Sequence, residues 1–220
     1  MHHRLLITAG PTHEPLDAVR YLGNRSSGRL GVALADEAAR RGWETTLLLG
    51  PVAVLPSEPK VRVEKFRTCA DLQVLLREHV ASADVLVMAA AVADYRPKID
   101  PAVFNGKFRR TSEPLKIELE PTPDLLAEVA RTRRADQMMV GFALEPRAEL
   151  ETSARAKLTR KKVDLVVGNP LETMDSDTIE AMVLSVDGQR VDTPGMMQKK
   201  AFAPWLMVLL EERWKAFGGK

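Results

Sequence analysis

The chain has 220 residues, 45% of them hydrophobic, which suffices for one large domain with its own core. Its 32 basic and 30 acidic residues leave a formal charge of +2, which argues against a whole-protein nucleic-acid binder and leaves room only for a local basic patch. No apolar run reaches the roughly 18 residues of a membrane span. The chain enters a strand directly after Met1-His2-His3-Arg4, so no signal peptide is expected. The single cysteine, Cys69, cannot close an internal disulfide, and a cytoplasmic location is expected.

Residues 5–7 form a short apolar strand that runs into a long polar loop. The loop closes on Ser26-Ser27-Gly28-Arg29-Leu30-Gly31, and a helix is predicted over 31–41, stopped by Gly42. This gathers N–H groups, hydroxyls and arginines at one helix N-terminus. The first N–H groups there lack internal partners and the dipole end is positive, so the segment reads as a phosphate-handling site. Gly10, Thr12, Ser26, Ser27, Gly28 and Gly31 are its candidate residues. Residues 45–49 are predicted as a second strand, ended by Gly50-Pro51, and 61–66 as a third. Thr68 and Asp71 fit a capping box opening a helix through Val80. The apolar run 84–92 is predicted as a buried strand of the kind found in parallel sheets covered on both faces.

From 95 to 114 the periodicity fails; Pro97, Pro101, Asn105-Gly106 and a basic run mark a long irregular flap, and loops of that length are usually functional. Residues 115–119 alternate like a strand. Thr122 as cap and Pro123 at the first helical position open another helix. A strand over 138–142, a basic helix over 149–162 and a strand over 163–167 follow. Residues 180–186 and 189–192 flank Asp187-Gly188, a hairpin signal, and 202–217 form a closing amphipathic helix. The predicted class is one α/β domain over 1–220: a Rossmann-like, doubly wound, mainly parallel sheet with a flap near 95–114 and a small antiparallel hairpin near 180–192.

A nicotinamide-binding domain wants Gly-x-Gly-x-x-Gly straight after the first strand and a carboxylate ending the second. Here Gly28 and Gly31 come 18 and 21 residues after Gly10, and the second strand ends Leu48-Leu49-Gly50-Pro51, so both features count against that cofactor. No Walker Gly-Lys-Ser/Thr sequence is present. Asn24 can donate to a developing oxyanion or serve as a turn residue. Arg20 can clamp a carboxylate or phosphate or lie on the surface. Asp94, just past the apolar run, stands where parallel sheets bind ligands or caps a turn. The alanines before it let a flat ring approach the backbone. Lys107-Phe108-Arg109-Arg110 can close over a polyphosphate or be a solvated charge run. Lys157 and Lys161, four apart on one helix face, can grip phosphates or face solvent. Glu14, Asp17, Glu145 and Asp175 are magnesium candidates, but no spacing singles out a ligand set. His13 reads as a loop residue rather than a base, and Cys69 as a buried structural thiol despite its place at the first turn of a capped helix.

In combination the motifs become specific. Thr-Ala-Gly-Pro-Thr-x-Glu-Pro-x-Asp at 8–17, Val-Arg-Tyr-x-x-Asn-x-Ser-Ser-Gly-x-x-Gly at 19–31 and Ala-Ala-Val-Ala-Asp-Tyr-Arg-Pro at 90–97 resemble phosphopantothenate–cysteine ligase. So do Thr-Pro-Asp-Leu-Leu at 122–126, Val-Gly-Phe-Ala at 140–143 and Lys-x-Val-Asp-Leu-Val-Val at 161–167. The resemblance implies amide formation between 4′-phosphopantothenate and L-cysteine in coenzyme A biosynthesis. CTP would activate the carboxylate as an acyl-cytidylate with release of pyrophosphate, and the cysteine amine would then displace CMP. It also implies a magnesium-dependent homodimer, for which the terminal hairpin and residues 205–210 are plausible contact surfaces. In bacteria this ligase is commonly fused behind a flavin-dependent decarboxylase; the chain looks like the ligase part alone, with no flavin of its own and with such a decarboxylase as an associate.

The resemblance puts Asn24 on the acyl-nucleotide, Arg20 beside it, and Lys107 first in the flap's Lys-x-Lys-Lys motif. It makes Met88, Ala89, Ala90, Asp94, Lys107, Pro123, Asp124, Leu125, Leu126, Phe142, Lys157 and Lys161 nucleotide contacts. The flap instead reads Lys-Phe-Arg-Arg, which keeps charge but changes hydrogen-bond geometry. Val140-Gly-Phe-Ala continues as Leu144-Glu145-Pro146, and Asn169 precedes Pro170; these departures bear on the choice between CTP and ATP. A non-catalytic nucleotide-binding module and an NAD(P)-dependent oxidoreductase are the alternatives.

Overall fold

A computed structural model describes residues 3–98, 106–174 and 176–218. The candidate magnesium contact Asp175 and the flap residues Pro101 and Asn105 lie outside these. The chain starts in the middle of its sheet with β1 (Arg4–Ala9) and passes a small hairpin, β2 (His13–Pro15) and β3 (Tyr21–Gly23). Helix α1 (Arg29–Arg40) then leads outward to β4 (Glu44–Leu49) and β5 (Arg62–Lys65). Helix α2 (Cys69–His79) carries the chain back across β1 to β6 (Val85–Met88). The two-stranded ribbon of β7 (Tyr95–Pro97) and β8 (Leu119–Pro121) follows, then α3 (Leu125–Thr132), β9 (Met138–Glu145), α4 (Leu150–Lys161) and β10 (Leu165–Pro170). After the short β11 (Thr178–Ile179) come β12 (Met182–Ser185), β13 (Arg190–Asp192), β14 (Met197–Gln198) and the closing α5 (Lys199–Ala216).

The main sheet runs β13-β12-β10-β9-β6-β1-β4-β5. The six strands from β10 to β5 are parallel, as the apolar runs predict. The hairpin turning at Gly188 is not a separate element: β12 pairs antiparallel with β10 and extends the sheet. Alternation along each strand feeds two cores. Ile7, Leu47, Val87, Val140 and Val167 face α1 and α5. Leu6, Leu48, Leu86, Met139 and Val166 face α2, α3 and α4.

Several expectations need correction. The run 84–92 stops pairing as a strand at Met88, because the Ala90 N–H turns to the Thr8 hydroxyl and Ala91 keeps only an isolated bridge to Pro11. Alanines offer little to pack on a buried strand face. Of the segment 115–119, expected as a strand, only Leu119 falls in one, at the start of β8, which pairs with β7. Helix α3 is capped by Asp124, which accepts from the Ala127 N–H, while the Thr122 hydroxyl donates to the Ala93 carbonyl at 2.5 Å. Of residues 205–210, Leu206, Met207, Leu209 and Leu210 are buried within the protomer itself, which leaves the half-buried Trp205 and the exposed Val208 as the part of this stretch open to a contact. Exposed apolar side chains also stand on Tyr21, Leu22, Tyr95 and Leu119. Among the described residues no helix is long and apolar enough to cross a membrane.

Two glycines set how α1 meets β1. Gly28 caps the helix with φ of 69°, a left-handed conformation that suits residues without a Cβ. Gly31 lies where a Cβ would come within 2.4 Å of the Ala9 Cβ. Replacing it with alanine gains at most about 1 kcal/mol of helix propensity against roughly 1–3 kcal/mol of overpacking. Gly31→Ala is therefore expected to lower the urea midpoint with an unchanged slope; a midpoint at or above that of the parent would contradict this seating of α1.

Candidate active site

The order in which strands are added reverses between β1 and β6, and in open α/β sheets the crevice beyond the strands' carboxyl ends at such a reversal is where ligands bind. Here the two chains leaving β1 and β6 are tied together. The Ala91 N–H donates to the Gly10 carbonyl at 2.9 Å, the Thr12 N–H to the Ala91 carbonyl at 3.2 Å, and the Ala93 N–H to the Thr12 hydroxyl at 3.0 Å. Asn24 adds a fourth bond, its Nδ2 donating to the Val92 carbonyl at 2.9 Å. Beyond this seam opens a cavity of about 880 Å³, lined by residues 23–31, 88–94, 122–126 and 142–145 together with side chains of α4. That volume suits a ligand of nucleotide size.

The structure sorts the candidate residues. Asn24, Ser26, Ser27, Gly28 and Gly31 line the cavity, as do Met88, Ala89, Ala90, Asp94, Pro123, Asp124, Leu125, Leu126, Phe142, Lys157 and Lys161. Gly10 and Thr12 do not; they build the seam behind it. Arg20 and Lys107 also stand outside the lining. Arg25, Arg29, Arg160 and Lys199 line the cavity too. Arg25 and Arg29 belong to the arginines that the sequence gathers at the start of α1, whereas sequence reasoning did not single out Arg160 and Lys199. Arg160 was within reach of it, being three residues from Lys157 on one helix face. Lys199 was not, because only the tertiary fold brings the start of α5 here.

The chain is nearly neutral, yet the cavity is not. Arg25, Arg29, Lys157, Arg160, Lys161 and Lys199 face three carboxylates, Asp94, Asp124 and Glu145. Helix α1 points its N-terminus here with no acidic residue in its first turn. Lys161 is paired with the Asp124 carboxylate. Lys157 donates to the Phe142 carbonyl; burial lowers its pKa from the usual lysine value, Lys161 and Arg160 lower it further, and Glu145 and Asp124 oppose. Such a basin accepts a polyanion.

The magnesium candidates separate as well. Glu14 is buried and accepts from the Cys69 N–H at 2.7 Å, capping α2 from outside, and Asp17 is engaged elsewhere. Among the described residues, the three-residue group of metal-binding type is Glu64, Glu78 and His79, none of which lines the cavity. Asp94 is the cavity carboxylate that accepts no hydrogen bond from a described group, whereas Asp124 and Glu145 are bonded to Lys161 and Ser153. A single carboxylate beside a polyphosphate suits magnesium, which binds through few protein ligands plus substrate oxygens. Cys69 is buried, and desolvation with the nearby Glu14 charge raises its thiol to about 11, so it is structural. His13, expected in a loop, opens strand β2 and stacks on Tyr21 at 3.6 Å between ring centroids, outside the cavity lining.

Residues 1–212 match the family described as the DNA/pantothenate metabolism flavoprotein C-terminal domain. The chain belongs to that family. It is 41% identical over 197 residues to the coenzyme A biosynthesis bifunctional protein CoaBC of Mycobacterium tuberculosis, covering 84% of this chain and 46% of that protein. It is 43% identical over 169 residues to a cysteine/cysteine sulfinic acid decarboxylase from an unknown prokaryote, covering 77% and 46%. The chain thus spans about half the length of these relatives. Its fold superposes on the crystal structure of the C-terminal domain of CoaBC with a TM-score of 0.81 at 31% identity, covering 97% of this chain and 96% of the other. The Cab2 mutant H337A in complex with phosphopantothenate-cysteine gives a TM-score of 0.80 over 99% and 89% at 20% identity, a likeness of fold.

In this member of the flavoprotein C-terminal domain family, Arg20 is locked against Asp17. Its Nε donates to Oδ2 at 2.9 Å, and the buried carboxylate also accepts from the N–H groups of Val19, Arg20 and Phe108. Desolvation pushes the Asp17 carboxyl up, but these hydrogen bonds outweigh it and hold the group well below the usual carboxylate range. A group depressed in the folded state stabilises above its unfolded value of about 4, and that stability is lost as pH falls toward the folded value. The melting-temperature gap between the parent and Asp17→Asn is therefore expected to stay constant from pH 7 to about 5 and to narrow below about 4. A gap independent of pH down to 3 would mean that the charge contributes nothing.

Proposed function

We propose that this domain is a phosphopantothenate–cysteine ligase, joining 4′-phosphopantothenate to L-cysteine with CTP as co-substrate in coenzyme A biosynthesis. One observation carries the reading: residues 23–31 and 88–94, the segments that resemble that ligase, converge on one basic cavity at the sheet's switch point. The relationship to CoaBC and the phosphopantothenate-cysteine bound by Cab2 support the substrate pair.

A carboxylate is a poor electrophile, so it must first receive a leaving group. A carboxylate oxygen of phosphopantothenate attacks the α-phosphorus of CTP and pyrophosphate departs. The neutral cysteine amine then attacks the acyl carbon, the bond to CMP breaks, and the nitrogen loses its proton as the amide forms. The arginines and lysines of the cavity and the N-terminus of α1 offset the phosphate charge. The Asn24 amide has two N–H donors. One is held by the Val92 carbonyl, which orients the other for the acyl oxygen. Magnesium, held by the phosphates and Asp94, would neutralise charge on the departing pyrophosphate. The reading extends to a cytoplasmic homodimer that associates with a phosphopantothenoylcysteine decarboxylase.

The test is pyrophosphate release on mixing the protein with phosphopantothenate, cysteine and either CTP or ATP. Release is expected with CTP and only when phosphopantothenate is present. Binding of CTP without release would favour a non-catalytic module, and binding of NAD(P)H without response to CTP an oxidoreductase. Asn24→Asp is expected to form the acyl-nucleotide but turn it over about 10²–10³-fold more slowly, the cost of an oxyanion donor. Lys107→Gln is expected to lose activity with the fold intact. Parent-like rates from both variants would refute these assignments.

A further inference from the structure

Arg20 and Lys107 stand outside the cavity lining, yet the structure joins them. The loop that carries Asn24 meets the flap at three backbone groups. The Ala18 N–H donates to the Gly106 carbonyl at 3.1 Å. The Phe108 N–H donates to Asp17 Oδ2 at 3.0 Å, and Arg20 Nη2 donates to the Phe108 carbonyl at 2.8 Å. The Arg20 guanidinium also lies 5.7 Å from the centroid of the Phe108 ring, within cation–π range. Lys107 is the residue between these anchors, exposed itself but fixed on both sides. Asp17 is the hub. Its side chain is only 4% exposed, and Oδ2 is 2.5 Å from Arg20 Nη2, so one carboxylate orients the arginine and binds the flap at once.

We propose that Asp17 is a positioning residue, clamping the flap through Arg20 and Phe108 and thereby setting where Lys107 sits. The inference rests on the ligase reading for its consequence in catalysis, though the clamp itself does not. Arg20 then acts by holding the flap rather than by touching substrate, which accounts for its absence from the cavity wall. Lys107, Arg109 and Arg110 repel one another along the flap's basic run; tying its backbone to a buried anion opposes that repulsion. Charge-assisted hydrogen bonds are the stronger kind, so losing the Asp17 charge releases the flap by about tenfold or more.

The experiment is limited trypsin digestion of the full chain, with cleavage after Lys107 followed by mass spectrometry, alongside steady-state kinetics. Asp17→Asn and Phe108→Ala are compared with the parent. Phe108→Ala leaves the carboxylate in place and guards against a loop that fails to fold in Asp17→Asn. The expected result is cleavage after Lys107 about tenfold faster or more in Asp17→Asn and about two- to fivefold faster in Phe108→Ala, which keeps the backbone hydrogen bonds and loses only the ring contact, with sites outside the flap and the loop that it meets cut at the parent rate. In Asp17→Asn, kcat should fall while KM for CTP stays within about twofold, because the cavity lining is untouched. Unchanged cleavage after Lys107 in both variants overturns the clamp, and so does a loss of kcat and KM together with general proteolysis. The digestion decides the clamp even in a protein that releases no pyrophosphate with CTP, an outcome that would refute the ligase reading alone.

Discussion

The seam between the chains leaving β1 and β6 is the constraint on which the site depends. Up to Thr8 the two strands are held by an ordinary parallel ladder, which ends with the Ala89 N–H on the Thr8 carbonyl at 3.1 Å. Past that point only an isolated bridge between Pro11 and Ala91 remains, and two loops would normally part into solvent. Instead a fully buried threonine, Thr12, accepts from the Ala93 N–H and donates its own N–H to Ala91. Buried backbone groups left unpaired cost about as much as lost hydrogen bonds, so the loops separate only with penalty. The cavity wall is thus the continuation of the strand pair by two backbone hydrogen bonds together with those of the Thr12 and Asn24 side chains. Asn24 is positioned by the same device.

This explains why one stretch of sequence holds two kinds of residue. Gly10, Thr12, Glu14 and Asp17 face inward and hold the loop: on the β6 extension, on the N-terminus of α2 and on the flap. Asn24, Ser26, Ser27, Gly28 and Gly31 reach the cavity. The first group supports what the second presents, and a loop so tied behaves as a rigid element. Rigid support is what a site for charge stabilisation needs, since donors that must reorganise during the reaction lose much of their effect.

How far the sequence could be read follows from where each structure-determining partner lies. The capping box of α2, the turn at Gly188 and the apolar parallel strands rest on neighbours in the chain, and each was legible. The end of β6 was not, because nothing near Ala90 signals that its N–H goes to Thr8, 82 residues away. The β2–β3 hairpin carries no strand pattern; its three-residue strands rely on His13 stacking on Tyr21 and on the His13 N–H bonding to the Arg67 carbonyl. The cap of α3 shifted from Thr122 to Asp124 because the threonine hydroxyl found a partner on the β6 extension. In the site, resemblance located the cavity wall but not the separation of Arg20 and Lys107 from it, since spacing carries no information on how a flap docks.

The electrostatics of the cavity favour a polyanion without leaving its cations bare beforehand. Bringing several lysines and arginines together is costly unless each is solvated or bonded. Lys157 is bonded to a carbonyl, a neutral partner, and the Glu145 and Asp124 carboxylates offset part of its charge without being paired to it. Lys161 and Arg29 are paired with Asp124 and Asp177, carboxylates that are 46% and 77% exposed. Exposed partners are weakly held, because water competes for both ions. A triphosphate entering the basin would therefore exchange weak, solvated contacts for several converging ones, while Lys157, which is in no ion pair, and the open N-terminus of α1 act without any pair having to break. An apolar floor of Met88, Leu125 and Leu126 lies under these charges, and its low polarity strengthens each of them.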